Sequence, residues 1–210
     1  MNESQWLARL RAGDEAAFRE LVSSLGGRLE RFARSFTHRD AVVEEAVQET
    51  WLAVIRGLDR FEGRSSLRTW VFGILANQAR RLAVKERRHE GPSVPDEPER
   101  EPGMGANGAW EQPPTPWGLE DPAELLQSRE TLAVIETALA GLPEAQRQVV
   151  LLRDVEGLSA EEASNILGVT DTHQRVLLHR GRARVRQALD RYLRDGSRPA
   201  ADARGKDANR

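Results

Sequence analysis

The stretch LSAEEASNILGVTDTHQRVLLHRGRARVRQAL, residues 158–189, carries its own punctuation. Ser159 and Glu162 have the spacing at which a serine hydroxyl and a glutamate cap each other's backbone at a helix start. Ala163, Ile166 and Leu167 then fall on one face at helical spacing, and Gly168 stops the helix. Thr170 follows as the N-cap of a second helix. Two helices joined by so short a turn have the shape of a helix-turn-helix. Shape alone decides little, because any two short helices joined by Leu-Gly look alike. Charge decides more: residues 170–194 hold seven arginines against only Asp171 and Asp190. A surface helix held by its own ion pairs needs more acids than that, whereas phosphate contact needs an unbalanced positive face.

Upstream, ELLQSRETLAVIETALAGL (residues 124–142) is helical in period until Gly141, and Pro143 suits the first position of the next helix, EAQRQVVLLRDVEG. Residues 90–122 differ sharply. They hold eight of the ten prolines, five glycines, eight acids and the single base Arg100, so they read as an acidic linker without regular structure. Helical periodicity returns N-terminal to it. Asp14 caps a helix carrying Ala17, Phe18, Leu21 and Val22, and a second helix is expected from about Ala41 to Arg56. Its Val43, Val47, Trp51, Val54 and Leu58 share one side, and Glu45, Gln48, Glu49, Leu52 and Arg56 the other. A leucine ringed by acids and an amide fits a partner helix; a solvated face with one stray leucine fits the same pattern.

A third long helix is introduced by FEGRSS, residues 61–66. Leu67, Val71, Ile74, Leu75 and Leu82 form its apolar stripe, with Trp70 at the border. The opposite side reads Thr69, Gly73, Ala76, Asn77, Arg80, Ala83 and Arg87, and between Arg80 and Arg88 five bases face Glu86 alone. Small residues allow close approach and arginines bind phosphate, so this face suits nucleic acid better than plain solvent. The loop before it has a glycine to bend the chain, two hydroxyls and an aromatic, the chemistry that holds an unstacked base.

Composition narrows the field. The 210 residues contain no cysteine, which excludes disulfides, thiol nucleophiles and zinc fingers, and His38, His89, His173 and His179 are too scattered to suggest a metal. No cofactor and no small-molecule substrate are expected. No apolar run approaches a membrane span and MNESQWLARLRAGDE lacks a signal-peptide core, so a soluble cytoplasmic protein without membrane insertion is expected. The expected fold is all-α: a helical bundle over 1–89, a flexible linker over 90–122, a helix-turn-helix domain over 123–195, and a disordered tail over 196–210.

VQETWLAVIRGLDRFEGRSSLRTWVFGILANQARR and LPEAQRQVVLLRDVEGLSAEEASNILGV resemble regions 2 and 4 of the sigma-70 family of bacterial transcription initiation factors, in the extracytoplasmic-function (ECF) group. The resemblance implies a non-enzymatic factor that binds core RNA polymerase, brings it to promoters and helps melt DNA. It implies that Glu45, Gln48, Glu49 and Thr50, with Leu52 beside them, dock on the β′ coiled coil, and that the C-terminal domain meets the β flap. Phe61, Arg64, Ser65 and Ser66 match the loop that captures a flipped minus-10 base, and Thr69, Trp70, Asn77, Arg80 and Arg81 match the adjoining DNA-facing helix. Contact with both single- and double-stranded promoter DNA follows.

Thr170, Thr172, His173, Arg175, His179 and Arg182 are the candidates for minus-35 contact. Here the chain departs from the family pattern, since Thr172 stands where a glycine is usual and Gln174 where a valine packs. An anti-sigma factor is a further implied partner. The acidic linker, with Trp110 and Trp117 as anchors, would thread toward the RNA exit path, or merely set reach. Without the resemblance, an autonomous helix-turn-helix regulator is the competing reading. A helical enzyme is a distant one, for no acid, base and nucleophile cluster at plausible spacing.

Overall fold

A computed structural model describes residues 3–89 and 129–195. The described residues form helices and connecting turns: α1 (Glu3–Arg11), α2 (Glu15–Ala33), α3 (Asp40–Gly57), α4 (Leu67–His89), α5 (Arg129–Ala140), α6 (Glu144–Val150), α7 (Ala160–Leu167) and α8 (Asp171–Asp195). A 3-10 turn at Leu58–Arg60 follows α3, and a π turn at Leu151–Val155 follows α6. The all-α class expected from periodicity is the one observed. The expected linker (90–122) with Trp110 and Trp117, residues 124–128 and the tail (196–210) lie outside the described residues.

The chain forms two compact units. Among the described residues, one gathers 3–89 with 144–178 and so joins segments from both sequence modules; the other gathers 129–143 with 179–195. In the first unit α2, α3 and α4 surround an apolar core. Asp14 starts α2 as expected, its carboxylate accepting the amide N–H groups of Ala16 and Ala17. Leu21, Leu25, Leu29 and Phe32 line the inner face of α2, while Phe18 is half-buried and Val22 is exposed. Phe32 sits edge-on to Phe36 and tilted against Phe72 of α4, with ring centroids 5.4 and 5.5 Å apart. Each such side chain contributes about 1.5–3 kcal/mol on burial, so the aromatic cluster fixes how α2 and α4 meet.

Two features went unread in the sequence. Residues 3–11 form a helix whose Leu10 is fully buried, although the charged N-terminus looked merely unsuited to a signal peptide. The segment after α6 widens into a π turn, in which the Glu156 N–H reaches the Leu151 carbonyl and the Leu158 N–H that of Leu152. The extra residue turns both leucines inward. Gly157, at φ +66°, then redirects the chain into α7.

In the second unit α5 buries Thr131 and Val134, and the Thr137 hydroxyl donates to the Ala133 carbonyl one turn back. The rest of α8 belongs to this unit.

Candidate polymerase and nucleic-acid interfaces

On α3 the inner side is Val43, Ala46, Val47 and Val54, all buried. The outer side holds Glu45, Gln48 and Leu52 exposed and Glu49 half-buried. Leu52 is 44% and Ile55 58% exposed, and they lie three residues apart on the same face as Gln48. An apolar pair rimmed by carboxylates has the chemistry to receive a helix bearing cations. Thr50 is not part of it: the side chain is fully buried and its hydroxyl donates to the Ala46 carbonyl at 2.7 Å. Ile55 was not singled out in the sequence, although its position seven residues after Gln48 signals the same face.

The loop before α4 bends at Gly63, φ +71°. Ser66 starts the helix, its Oγ accepting the Thr69 N–H at 3.1 Å, while Ser65 is half-buried and Arg64 is exposed beside Glu62 at 2.8 Å. Phe61, expected as an open base-capturing ring, is instead 8% exposed and packs on Trp70 with centroids 4.9 Å apart. Apolar area that finds a neighbour leaves water, so the aromatic serves as a wall of the loop. Gly57 lets the indole approach: a Cβ there would lie 3.1 Å from Trp70 Cζ2.

Farther along α4, Asn77, Arg80, Arg81, Val84, Lys85 and Arg88 line an open groove of about 680 Å³. Its positive charge is undiluted, because Glu86 is engaged by the Thr37 hydroxyl at 2.9 Å and by Arg39 at 3.0 Å. Four cations along one concave surface hold a phosphate chain better than a scattered set does. The opposite-face expectation holds for Asn77 and Arg87, but Thr69, Ala76 and Ala83 are buried. Part of the cover over this side is α7. The Thr69 hydroxyl donates to Glu162 at 2.6 Å, the Arg80 guanidinium donates to the Leu167 carbonyl at 3.2 Å, and Ile166 lies 4.0 Å from the space above Gly73.

The caps read from sequence at 158–173 are all present. Ser159 Oγ accepts the Glu162 N–H and Glu162 accepts the Ser159 N–H, Gly168 is left-handed at φ 69°, ψ 34°, and Thr170 Oγ1 accepts the His173 N–H. The Thr69 hydroxyl first, then the Ser159 backbone, hold the Glu162 carboxyl below its ordinary value by hydrogen-bonding its ionised form. On α8, Thr172, His173, Arg175, His179 and Arg182 are exposed, Arg175 pairing with Asp171 one turn back at 2.7 Å. Gln174 is 1% exposed, so the position where the resemblance puts a packed valine is interior here too, and its amide oxygen and nitrogen find no hydrogen-bond partner among the described residues.

The family model for Sigma-70 region 2 matches residues 21–89, and that for Sigma-70, region 4 matches residues 132–185. Together they span more than half of the chain. It belongs to the sigma-70 family, in the extracytoplasmic-function group. The ECF RNA polymerase sigma-E factors of Escherichia coli strain K12 and Salmonella typhimurium are each 28% identical to this sigma factor over 184 residues, 87% of this chain and 89% of theirs. Among solved structures, CnrH in complex with the cytosolic domain of CnrY is 25% identical, with a TM-score of 0.53 over 88% of this chain and 95% of that one. The sigma factor RpoE of Bartonella quintana, solved with the anti-sigma factor NepR, shares the fold at 24% identity, with a TM-score of 0.56 over 82% and 96%.

Within this sigma factor the expected site residues divide by place. Glu45, Gln48, Glu49 and Leu52 share the outer side of α3, and Thr50 lies inside. Arg64, Ser65 and Ser66 line the loop with Phe61 tucked behind it, and Asn77, Arg80 and Arg81 open on the groove. Thr69 and Trp70 point into packed surroundings, buried and half-buried respectively. Val84, Lys85 and Arg88 join the groove without having been singled out as site residues; their i+3, i+4 and i+7 spacing from Arg81 was the available signal. Among the described residues no cluster of acidic or imidazole side chains could hold a metal, and no helix is long and apolar enough to cross a membrane.

Proposed function

We propose that this sigma factor docks core RNA polymerase on the acidic-rimmed Leu52–Ile55 face of α3, with its C-terminal domain reaching the β flap. It reads the minus-10 element with the 61–66 loop and α4, and the minus-35 element with α8. The observation that carries the reading is the cationic groove on α4, directly downstream of a serine-rich loop. Arg81, Lys85 and Arg88 hold phosphates of the opened strands, Asn77 meets a base or sugar edge, and Arg64, Ser65 and Ser66 receive an extruded base. Extrusion costs a few kcal/mol, which stacking and hydrogen bonds in the pocket offset at about 1–3 kcal/mol per base. Melting is then differential binding of the open duplex, requiring no chemical step by this chain.

In the major groove, the exposed Thr172, Arg175, His179 and Arg182 share one side of α8, with His173 exposed beside them, and supply donors suited to base edges and flanking phosphates. The relative solved with an anti-sigma factor supports a partner of that class here, bound where it would cover the α3 face. We place the domain boundaries at 1–89 and 123–195 with residues 90–122 as the tether.

The test is pull-down of purified core polymerase by the tagged protein, then run-off transcription on fragments of the host genome. New, specific start sites support the proposal. Arg81→Ala with Lys85→Ala should impair open-complex formation at unchanged core binding, and Leu52→Ala should do the reverse. A protein that ignores core polymerase yet shifts duplex DNA would be an autonomous regulator instead.

A further inference from the structure

The loop before α4 is held at its root by Arg11, the last residue of α1. The guanidinium bridges two carbonyls: Nε donates to that of Leu58 at 3.3 Å and Nη2 to that of Phe61 at 2.5 Å. Leu58 opens the 3-10 turn that continues α3, and Phe61 closes it, its own N–H returning to the Leu58 carbonyl at 3.2 Å. Carbonyls at a helix end lack intrahelical donors and carry the negative end of the dipole, so a cation is favoured there. A planar fork can serve two of them at once, which a single ammonium does not.

Arg11 is itself well fixed. Leu10 beside it is 1% exposed and anchors α1 on the bundle. Directly afterwards the chain turns through Gly13 at φ +75°, where the Gly13 N–H returns to the Leu10 carbonyl at 3.0 Å and the Asp14 N–H to that of Arg9 at 3.1 Å. Arg9 closes the same corner through its ion pair with Asp14 at 2.8 Å. Phe61 is therefore held twice, by its backbone through Arg11 and by its ring against Trp70, with centroids 4.9 Å apart. At the other end of the loop the Ser66 hydroxyl accepts the Thr69 N–H at 3.1 Å, so the span between two fixed ends is only Glu62–Ser65. A loop with fixed ends loses less freedom on closing around a ligand than one with a loose root, and the difference appears as affinity. We infer that Arg11 is a positioning residue for base capture: α1 fixes the root of the 61–66 loop through two carbonyls, so that Arg64, Ser65 and Ser66 meet an extruded minus-10 base in a prearranged geometry. This rests on the assignment of that loop to base capture, and Arg11 itself touches no DNA.

The test uses holoenzyme reconstituted from core polymerase and the full chain, with a single-stranded oligonucleotide from the minus-10 segment of a promoter mapped by run-off transcription. A series carrying one abasic site at each position in turn reads how much affinity a captured base supplies. The unaltered protein should lose about tenfold at one position. Arg11→Ala should bind the intact oligonucleotide about tenfold more weakly and the abasic one as well as the unaltered protein does, so that discrimination at that position disappears. Core binding and the slope of log affinity against log salt should not change, because no phosphate contact is lost. Arg11 is exposed, so its truncation leaves no void in the core. Arg11→Lys keeps the charge without the fork and should lose discrimination likewise. Full discrimination in either variant, or a reduced salt slope with discrimination retained, overturns the positioning role while base capture stands. An unaltered protein that binds the oligonucleotide yet discriminates at no position overturns base capture, and the role of Arg11 with it. Should Arg11→Ala not fold, Arg11→Lys decides by the same criterion.

Discussion

At the scale of single residues, position in the packed structure overrides chemical type. Phe61 has the ring expected of a base-binding residue, yet it lies against Trp70, which in turn leans on the bare backbone of Gly57. Phe61→Ala should therefore lower unfolding free energy by about 3 kcal/mol, read as a shifted urea midpoint at constant slope. Normal stability with lost DNA binding would mean the ring faces outward. Glu162 shows how environment tunes a carboxyl. Its folded-state pKa is depressed below the ordinary 4.5, so the stabilisation is complete above that value and is lost as pH falls through it toward the folded value. Glu162→Gln should flatten this part of the acid limb in midpoints followed from neutral pH downward, and an unchanged acid limb would show that the carboxylate is unpartnered in solution. Asp14 follows the same sign, held low chiefly by the Arg9 hydrogen bond.

Elements show which faces are spare. The inner side of α3 is committed to the bundle, whereas Leu52 and Ile55 are exposed with no work in folding. Leu52→Ala and Ile55→Ala should each change stability by no more than about 0.5 kcal/mol while weakening core polymerase binding severalfold, the second as much as the first. An effect on melting temperature larger than that on core affinity would return the pair to a structural role. The groove on α4 is the converse case, where charge rather than area matters. Replacing Arg81 and Lys85 by alanine should reduce the slope of log affinity against log salt by about 1.4 for single-stranded promoter DNA if both neutralise phosphates. Salt titrations of the two proteins giving parallel lines would remove the groove from the DNA path.

For the whole molecule, sequence and tertiary structure settle different things. Signals that act within one turn of chain were legible: the all-α class, the Asp14 cap, the Ser159–Glu162 box, the left-handed Gly168 and the Thr170 cap all depend on neighbours a few residues away. The outer face of α3 and the basic end of α4 were legible for the same reason, since 3.6-residue periodicity fixes which side chains share a face. The burial of Thr50, the retreat of Phe61 and the cover over Thr69, Ala76 and Ala83 were not. A helical projection says which residues lie together but not how many neighbours a helix has, and α4 is packed by α7 on the side that the projection leaves to solvent. Local chemistry in the sequence thus determined the helices, their caps and the two faces proposed to bind polymerase and DNA. Only the tertiary structure decided which parts of those faces are open, because covering a surface depends on contacts between residues as far apart in the chain as Thr69 and Glu162.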